Sequence, residues 1–278
     1  SLDDQISQYI ENNPYGDQVT IRHLLSQTSG IPKPIPLKWV HLAEEDSGFN
    51  EKSAMQKILE ENPTLNFPPG RKYSYSNLSY WLLGQIIEKV TGTSYKEYMH
   101  KNIFQKLGLS SNEIDYIIPS DTNHAKGYLK KWSFLDLFKS FVMDSKYFGD
   151  YENGWLHLQN HYLNGPSFGG IVASAQSISV FLRDQLQDDS ALFSKHTKEL
   201  FFEEQKNNSG EFIEMSLGWH INSIGNVKYF YKEGGGGGFH SEMRIYPSRK
   251  IATVVIANNT SFDVQGFLND ADREFMEE

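Results

Sequence analysis

Residues 73–90 read YSYSNLSYWLLGQIIEKV and carry the strongest helical pattern in the chain. Their apolar side chains recur every three or four positions, which predicts a buried helix that ends at Gly92. These apolar residues are Leu78, Leu82, Leu83, Ile86, Ile87 and Val90. This helix is the most clearly predicted element of the chain, and the other elements are described relative to it.

Tyr75 and Asn77 lie two residues apart in the polar loop before that helix. A phenol near a cation can move protons, and an asparagine amide can hold an amide or an ester. The pair is therefore a candidate site. A loop aromatic and a helix-capping asparagine would explain the same two residues without any chemistry.

Length and composition limit the possible classes of protein. The chain has 278 residues, enough for one large domain or two modest ones, and a net charge of -9. The acidic balance argues against a nucleic-acid partner. The absence of cysteine excludes disulfides, thiolate metal sites and a cysteine nucleophile. No apolar stretch is long enough to cross a membrane.

Helical patterns dominate the first two thirds of the chain, and strand patterns dominate the last third. Helices are predicted at 1–13, 21–30, 51–62, 77–92, 95–104, 175–186, 194–203 and 264–276. Strands are predicted at 215–223, 227–232, 239–246 and 250–258. Helices, an antiparallel meander and a closing helix together predict an α+β fold.

Five consecutive glycines, Gly234–Gly238, follow Lys232 near the end of a predicted strand. Such a run lets another molecule approach the backbone closely and can present N–H groups to an oxyanion. No GxxxxGK[ST] pattern is present, so this is not a phosphate-binding P-loop. A flexible hairpin connection and an ordinary exposed strand lysine are the alternatives.

The segment 130–168 is unusually aromatic. It is interpreted either as an apolar wall or lid over an active-site cleft or as an additional core layer. His157 and His161 are spaced as a metal pair on one helix face, but no glutamate completes an H-E-x-x-H motif. We therefore predict no metal site.

Three segments together resemble one known family. They read TIRHLLSQTSGI at 20–31, YSYSNLSYWLLG at 73–84 and YKEGGGGGFHS at 231–241. The chain resembles the serine β-lactamase and penicillin-binding-protein superfamily, in the branch of class C β-lactamases, D-alanyl-D-alanine carboxypeptidases and related esterases. Weaker matches follow in the family's order at 125–128, 169–174 and 217–219. The resemblance extends from about Leu2 to Asn259.

The resemblance implies an α/β sandwich in which terminal helices flank an antiparallel sheet and an all-helical region is inserted. On this basis residues 1–20 begin the module after a missing nucleophile segment. Residues 21–190 form a mainly helical region with the Tyr-x-Asn motif and the aromatic lid. Residues 191–278 contain the C-terminal strands and the closing helix of the same module.

The resemblance also implies a site for acyl-enzyme chemistry without cofactor or metal. It assigns Tyr75 to proton transfer, Asn77 to holding the substrate amide, and Lys232 to positive potential beside Tyr75 and a substrate carboxylate. Gly234, Gly235 and Gly236 would line the substrate, with the Gly235 N–H as an oxyanion donor. Glu233 departs from the family pattern, because it places a carboxylate where the family has a hydroxyl that contacts the substrate. This departure weakens the expectation of β-lactam recognition.

The family nucleophile, the serine of a Ser-x-x-Lys motif, is absent: no serine in the chain has a lysine three positions later. We therefore expect a chain that lacks its first segment and is inactive as it stands. Its parent would hydrolyse or transfer acyl groups of a stem peptide from peptidoglycan, a β-lactam or a small ester, outside the cytoplasm. The alternative is a non-catalytic module that binds a ligand or partner.

Overall fold

A computed structural model describes residues 1–35, 38–119 and 124–276, apart from the side chains of Phe134, Leu135, Phe141 and Val142. Two members of the predicted aromatic segment, Phe134 and Phe141, thus have side chains outside the description. Within the described ranges no helix is both long and apolar enough to span a membrane.

The described part of the chain contains eight α-helices. They are α1 (Ile21–Leu25), α2 (Glu51–Glu61), α3 (Asn77–Thr91), α4 (Tyr95–Met99), α5 (Phe134–Val142), α6 (Ala175–Leu186), α7 (Lys195–Phe202) and α8 (Val264–Arg273). A single π-helical turn, His100–Phe104, continues α4. The helix predicted from residues 73–90 is confirmed as α3, and it ends where Gly92 adopts a left-handed φ of 69°.

Eleven strands are described. They are β1 (Val40–Leu42), β2 (Ile114–Asp115), β3 (Gly127–Lys130), β4 (Phe148–Glu152), β5 (Trp155–Leu158), β6 (His161–Leu163), β7 (Val172–Ala173), β8 (His220–Ile224), β9 (Val227–Gly236), β10 (Phe239–Tyr246) and β11 (Ile251–Ala257). The four C-terminal strands form one antiparallel sheet in the order β11-β10-β9-β8. The α+β class predicted from the sequence is confirmed.

The main sheet is covered on both faces. On one face Leu182 of α6 packs against Phe230 and Ile245 in a buried cluster. On the other face Tyr229, Tyr246 and Met276 form a second cluster beside α8. Successive strand residues alternate between these two environments, which decides where each polar residue of β9 and β10 points.

A separate core surrounds α3. Leu78, Trp81 and Leu82 are fully shielded from solvent and contact apolar residues from the N-terminal segment, including Ile6 and Leu24. This packing holds the start of α3, and therefore the loop that carries Tyr75, in a fixed position.

Three sequence predictions about local structure are wrong. In place of a helix over residues 1–13 there is a 3₁₀ turn at Ile6–Gln8, and the Ile6 N–H bonds to the carbonyl of the distant Val19 at 3.0 Å. The inserted region is not all-helical, since β1 to β7 lie within it as two- and three-stranded sheets. His157 and His161 lie on separate strands, β5 and β6, so their helical spacing has no meaning. The boundaries at residues 20 and 190 stay predictions.

Candidate functional site

Lys232 connects the sheet to the loop before α3. Its Nζ donates a hydrogen bond to the Tyr80 hydroxyl at 2.9 Å. The same ammonium lies 4.8 Å from the ring centroid of Tyr75 and 4.4 Å from that of Tyr80. Two residues that the sequence proposed from separate motifs, Tyr75 and Lys232, are thus in contact. We call Lys232, Tyr75 and Tyr80 the lysine–tyrosine cluster.

No carboxylate in the described part of the chain forms an ion pair with Lys232. Burial lowers the pKa of Lys232, and the neighbouring Tyr75 opposes this shift. Burial raises the pKa of Tyr75, and the Lys232 charge opposes that shift in turn. Burial also raises the pKa of Tyr80 to about 12. The ammonium is therefore held by phenols alone, and any developing Tyr75 phenolate would be stabilised by it.

His220, the first residue of β8, extends the cluster. Its ring centroid lies 5.9 Å from that of Tyr75 and 5.1 Å from that of Tyr231. Burial, with a smaller contribution from the Lys232 charge, lowers the pKa of His220 to about 4. The imidazole is consequently neutral at physiological pH and adds no second cation beside Lys232.

Gln27 and Pro32 anchor the loop between Tyr75 and Asn77 from below. The Ser76 N–H donates to Gln27 Oε1 at 2.7 Å, and the Ser76 hydroxyl donates to the Pro32 carbonyl at 2.7 Å. Ser76 is fully buried, so this anchor holds the backbone between Tyr75 and Asn77 in place. Asn77 is half-buried, and its side-chain amide bonds to no other described residue. It is free to bind another molecule.

Gln27 is itself unusual. It is fully buried and has a left-handed φ of 57°. Its Nε2 finds no hydrogen-bond partner among the described residues, although its Oε1 is bonded to Ser76. A buried donor without a partner is rare and is typical of functional sites.

The glycine run divides into two parts. Gly234–Gly236 belong to β9, whereas Gly237 and Gly238 form a two-residue turn with φ values of 60° and 90°, as a type I′ hairpin requires. A Cβ on Gly238 would lie 2.5 Å from the backbone of Gly127. The turn therefore needs glycine both for its conformation and for its close approach to β3.

The strand part of the run has an open edge. Along the edge of β9 opposite β10, β8 pairs with β9 only as far as Tyr231, which is opposite His220. Beyond Tyr231 no described strand pairs with this edge. The tight turn makes Gly236 and Phe239 a bonded pair, and bonded pairs alternate along an antiparallel ladder. Gly235 therefore directs its N–H and C=O away from β10, toward the open edge. This geometry suits the oxyanion role that the sequence assigned to the Gly235 N–H.

Glu233 is committed elsewhere. Its carboxylate pairs with His240 Nε2 at 2.7 Å and accepts a bond from Gln265 Nε2 at 3.3 Å. Glu233 shares the sheet face of its cross-strand neighbour Glu242, whereas Lys232 points to the opposite face. The departure from the family pattern at this position thus leaves the lysine–tyrosine cluster without an acidic side chain.

Comparison with known proteins decides the family. The family model described as Beta-lactamase matches residues 1–275. The chain belongs to the β-lactamase family. It is 27% identical over 263 residues to Penicillin-binding protein 4* of Bacillus subtilis (strain 168), covering 92% of this chain and 54% of that protein. The chain therefore spans about half the length of this relative of the β-lactamase family.

Solved structures share the fold. The octameric penicillin-binding protein homologue from Pyrococcus abyssi has a TM-score of 0.76 at 23% identity, covering 100% of this chain and 60% of the other. The D-amino acid amidase from Ochrobactrum anthropi SV3, complexed with L-phenylalanine amide, has a TM-score of 0.74 at 19% identity, covering 99% and 76%. These similarities support the β-lactamase-type architecture.

Sequence analysis missed three residues of this β-lactamase-family site: Tyr80, His220 and Gln27. Tyr80 lies on α3, five positions after Tyr75. A tyrosine within the otherwise apolar face of a buried helix needs a hydrogen-bond partner, and this need could have indicated its role. His220 directly follows the Leu-Gly-Trp match, and Gln27 lies inside the first motif. The roles of Tyr75, Asn77, Lys232 and the glycines stay predictions.

One residue of the aromatic segment, His161, lies against the β9–β10 turn. A Cβ on Gly237 would meet the His161 ring at 2.5 Å, and Tyr128 bonds its N–H to the Gly238 carbonyl at 3.0 Å. The side chains of the segment range from buried Tyr147 to Trp132, which is 74% exposed. The lid over the cleft stays a prediction.

Proposed function

We propose that this chain supplies one wall of a serine hydrolase or acyltransferase site that acts on amides or esters. The observation that carries the proposal is the contact of Lys232 with Tyr75 and Tyr80, without any carboxylate, beside the free amide of Asn77. The Lys232 ammonium, which has only phenols as partners, opposes the rise in the Tyr75 pKa that burial causes, and it would stabilise the phenolate that a proton-accepting tyrosine needs.

The proposed reaction proceeds through an acyl-enzyme. Tyr75 takes the proton of a serine hydroxyl while the serine oxygen bonds to the substrate carbonyl carbon. The Gly235 N–H donates to the oxygen that becomes negative, and Asn77 holds the substrate amide. Tyr75 then returns the proton to the leaving amine or alcohol as its bond to carbon breaks. Water releases the acyl group by the same steps in reverse order.

The nucleophilic serine of this proposal lies outside the 278 residues, because they contain no Ser-x-x-Lys. The similarity to a penicillin-binding protein and to a D-amino acid amidase supports amide substrates that include peptidoglycan-derived D-amino acid peptides. We further propose an extracytoplasmic location, where such peptides occur. Cell fractionation with an antibody against the chain tests the location, and a purely cytoplasmic signal would contradict it.

The test uses the protein together with the coding sequence upstream of Ser1. Intact mass spectrometry after exposure to a β-lactam, a D-amino acid amide or an activated ester should detect an acyl adduct on a Ser-x-x-Lys serine. The 278 residues alone should form none. If the protein with its upstream sequence gives no adduct with any of the three reagents, the hydrolase proposal is wrong.

Replacing Tyr75 by Phe should slow acylation by about 100- to 10,000-fold, because the variant loses the proton acceptor and keeps the ring. Tyr73→Phe is the matched control, since the Tyr73 ring also contacts His220, edge to face, but does not contact Lys232. Its acylation rate should stay within about twofold of the parent. Equal rates for both variants would remove Tyr75 from the mechanism.

A non-catalytic binding module is the second candidate, favoured by the missing Ser-x-x-Lys. In that case a D-alanyl-D-alanine peptide would bind to the chain without turnover. Asn77→Ala would weaken binding, because the free amide is lost. Calorimetric titration together with chromatographic analysis of the peptide distinguishes this outcome from hydrolysis.

A further inference from the structure

A cavity of about 410 Å³ lies where β3, β4 and β5 meet the end of β11, apart from the lysine–tyrosine cluster. Its lining is aromatic and polar, and consists of Tyr128, Glu152, Asn153, Trp155, Asn258 and Asn259. Small-molecule sites usually measure about 300–1,000 Å³. The cavity is therefore large enough for a ligand of one or two rings.

The cavity has no charge to offer a ligand. Its carboxylate, Glu152, pairs with Lys126 Nζ at 2.7 Å and accepts the Tyr128 hydroxyl bond at 2.7 Å. These partners lower the pKa of Glu152, so it stays ionised and neutralised by Lys126. A phosphate would find no unpaired cation in this lining, and an ammonium would have to displace Lys126.

Several neutral donors and acceptors remain open. Neither the Asn153 amide nor the Trp155 indole N–H bonds to another described residue. Asn259 accepts a bond from the Ser261 N–H at 2.9 Å, which leaves its NH₂ group available. Asn258 donates to the Lys126 carbonyl at 3.1 Å, which leaves its side-chain oxygen available. Donors and acceptors thus surround one large indole.

We propose that this cavity is a binding site for a neutral saccharide. A sugar ring has an apolar C–H face that can pack on the Trp155 indole, and hydroxyl groups at its rim that both donate and accept hydrogen bonds. A purely apolar ligand would bury the open amides without partners, at about 1–3 kcal/mol each. A free amino acid would bring two charges into a lining with no unpaired one.

The site is pre-formed by backbone bonds. The Tyr128 N–H donates to the Gly238 carbonyl at 3.0 Å, and the Thr260 N–H donates to the Tyr128 carbonyl at 3.3 Å. These bonds fix the floor of the cavity to the β9–β10 turn and to the end of β11. The saccharide site does not depend on the proposed acyl chemistry, because the cavity lining includes no member of the lysine–tyrosine cluster.

Isothermal titration of the chain with two trisaccharides, N,N′,N″-triacetylchitotriose and maltotriose, tests the proposal. We expect saturable binding of at least one of them with a millimolar Kd. Trp155→Ala should weaken binding by about tenfold or more, since aromatic anchors dominate such sites. Trp132→Ala is the matched control, because Trp132 is 74% exposed and does not line the cavity, and its Kd should stay within about twofold.

A second variant protects the test against misfolding of Trp155→Ala. Asn153→Gly removes the amide and suits the left-handed φ of 50° at this position, so the fold is retained. It should weaken binding by about threefold through the lost hydrogen bonds. Absence of saturable binding by both trisaccharides overturns the proposal. An unchanged Kd in Trp155→Ala also overturns it. If Trp155→Ala does not fold, an unchanged Kd in Asn153→Gly overturns it instead.

Discussion

The main sheet holds two shielded cations, a fully buried Arg244 and a half-buried Lys232, in opposite ways. Arg244 on β10 lies on the face covered by α8, whereas Lys232 on the neighbouring strand β9 points to the other face. Both side chains have been removed largely from water, and only one of them has been given counter-ions. The difference separates a charge that holds the fold together from a charge that is available for chemistry.

Arg244 is fully buried among carboxylates. Its Nε donates to Glu242 at 2.5 Å and its Nη1 to Asp272 at 3.1 Å, and both acids are at most 1% exposed. Tyr246 adds a hydroxyl bond to Asp272 at 2.6 Å. Two carboxylates thus share one guanidinium, so the arginine ties β10 to α8 and has no remaining capacity for a ligand.

Lys232 is left with a lowered pKa and with phenols as its only described hydrogen-bond and ring partners. A half-buried cation without a counter-ion destabilises the folded state, and such an arrangement is typical of functional sites. Comparing the two cations therefore locates the candidate site without reference to any relative.

Arg244→Met should have the largest effect on stability. It leaves Glu242 and Asp272 buried without their cation and should lower the free energy of unfolding by about 3–5 kcal/mol. Urea denaturation followed by circular dichroism measures the change. Arg249→Met is the control, because Arg249 is exposed, and it should shift the free energy by no more than about 0.5 kcal/mol. Equal effects would show that Arg244 does not tie β10 to α8.

Acidification should lower the free energy of unfolding, because the neutral His220 imidazole beside Lys232 resists protonation in the folded state. The pKa of folded His220 is about 4 against 6.5 for the free side chain, so the unfolded chain binds more protons between these values. Stability that is present above about pH 6.5 is therefore lost as the pH falls through 4, by up to about 3 kcal/mol. His220→Phe should flatten the pH profile of the unfolding free energy over this range.

Two other half-buried histidines, His23 and His161, also have lowered pKa values and add to the same acid transition. The measurement is thus the difference between the parent and His220→Phe profiles from pH 7 to about pH 4. Superimposable profiles would mean that His220 is not shielded beside the lysine–tyrosine cluster.

Lys232→Met should have the smallest effect on stability. Removing a poorly solvated cation offsets the loss of its bond to Tyr80, so the free energy of unfolding should change by less than about 1.5 kcal/mol. Lys228→Met, on the same face of β9 but exposed, is the control and should shift it by at most about 0.5 kcal/mol. A loss as large as that for Arg244→Met would show that both cations are structural.

Much of the framework could be predicted from local sequence. The apolar spacing of α3 and the stop at Gly92 were predicted, and so was a helix that starts at residue 21, where Thr20 and His23 form a capping box. Helix α6 lies at Ala175–Leu186, where the pattern placed it. These features depend on contacts within a few residues, and such contacts leave a periodic trace in the sequence.

The short strands β1 to β7 could not be predicted in the same way. Strand β1 pairs with β6 across more than a hundred residues, and its three residues are too few to show alternation. The contact between β9 and α3 at the candidate site could not be predicted from local sequence either, because the Lys232–Tyr80 bond joins residues 152 positions apart. Family resemblance supplied Tyr75, Asn77 and Lys232, but it gave neither Tyr80 nor His220.

The sequence by itself determined α3, α6 and the closing helix, and it indicated membership of the β-lactamase family. Only the tertiary structure decided that Lys232 lies among phenols while Arg244 lies among carboxylates, and that the strand edge at Gly235 is open. Local patterns record which residues prefer a helix or a turn. The partner of a buried charge depends on which distant segments the fold packs together, and that choice is made by the whole core.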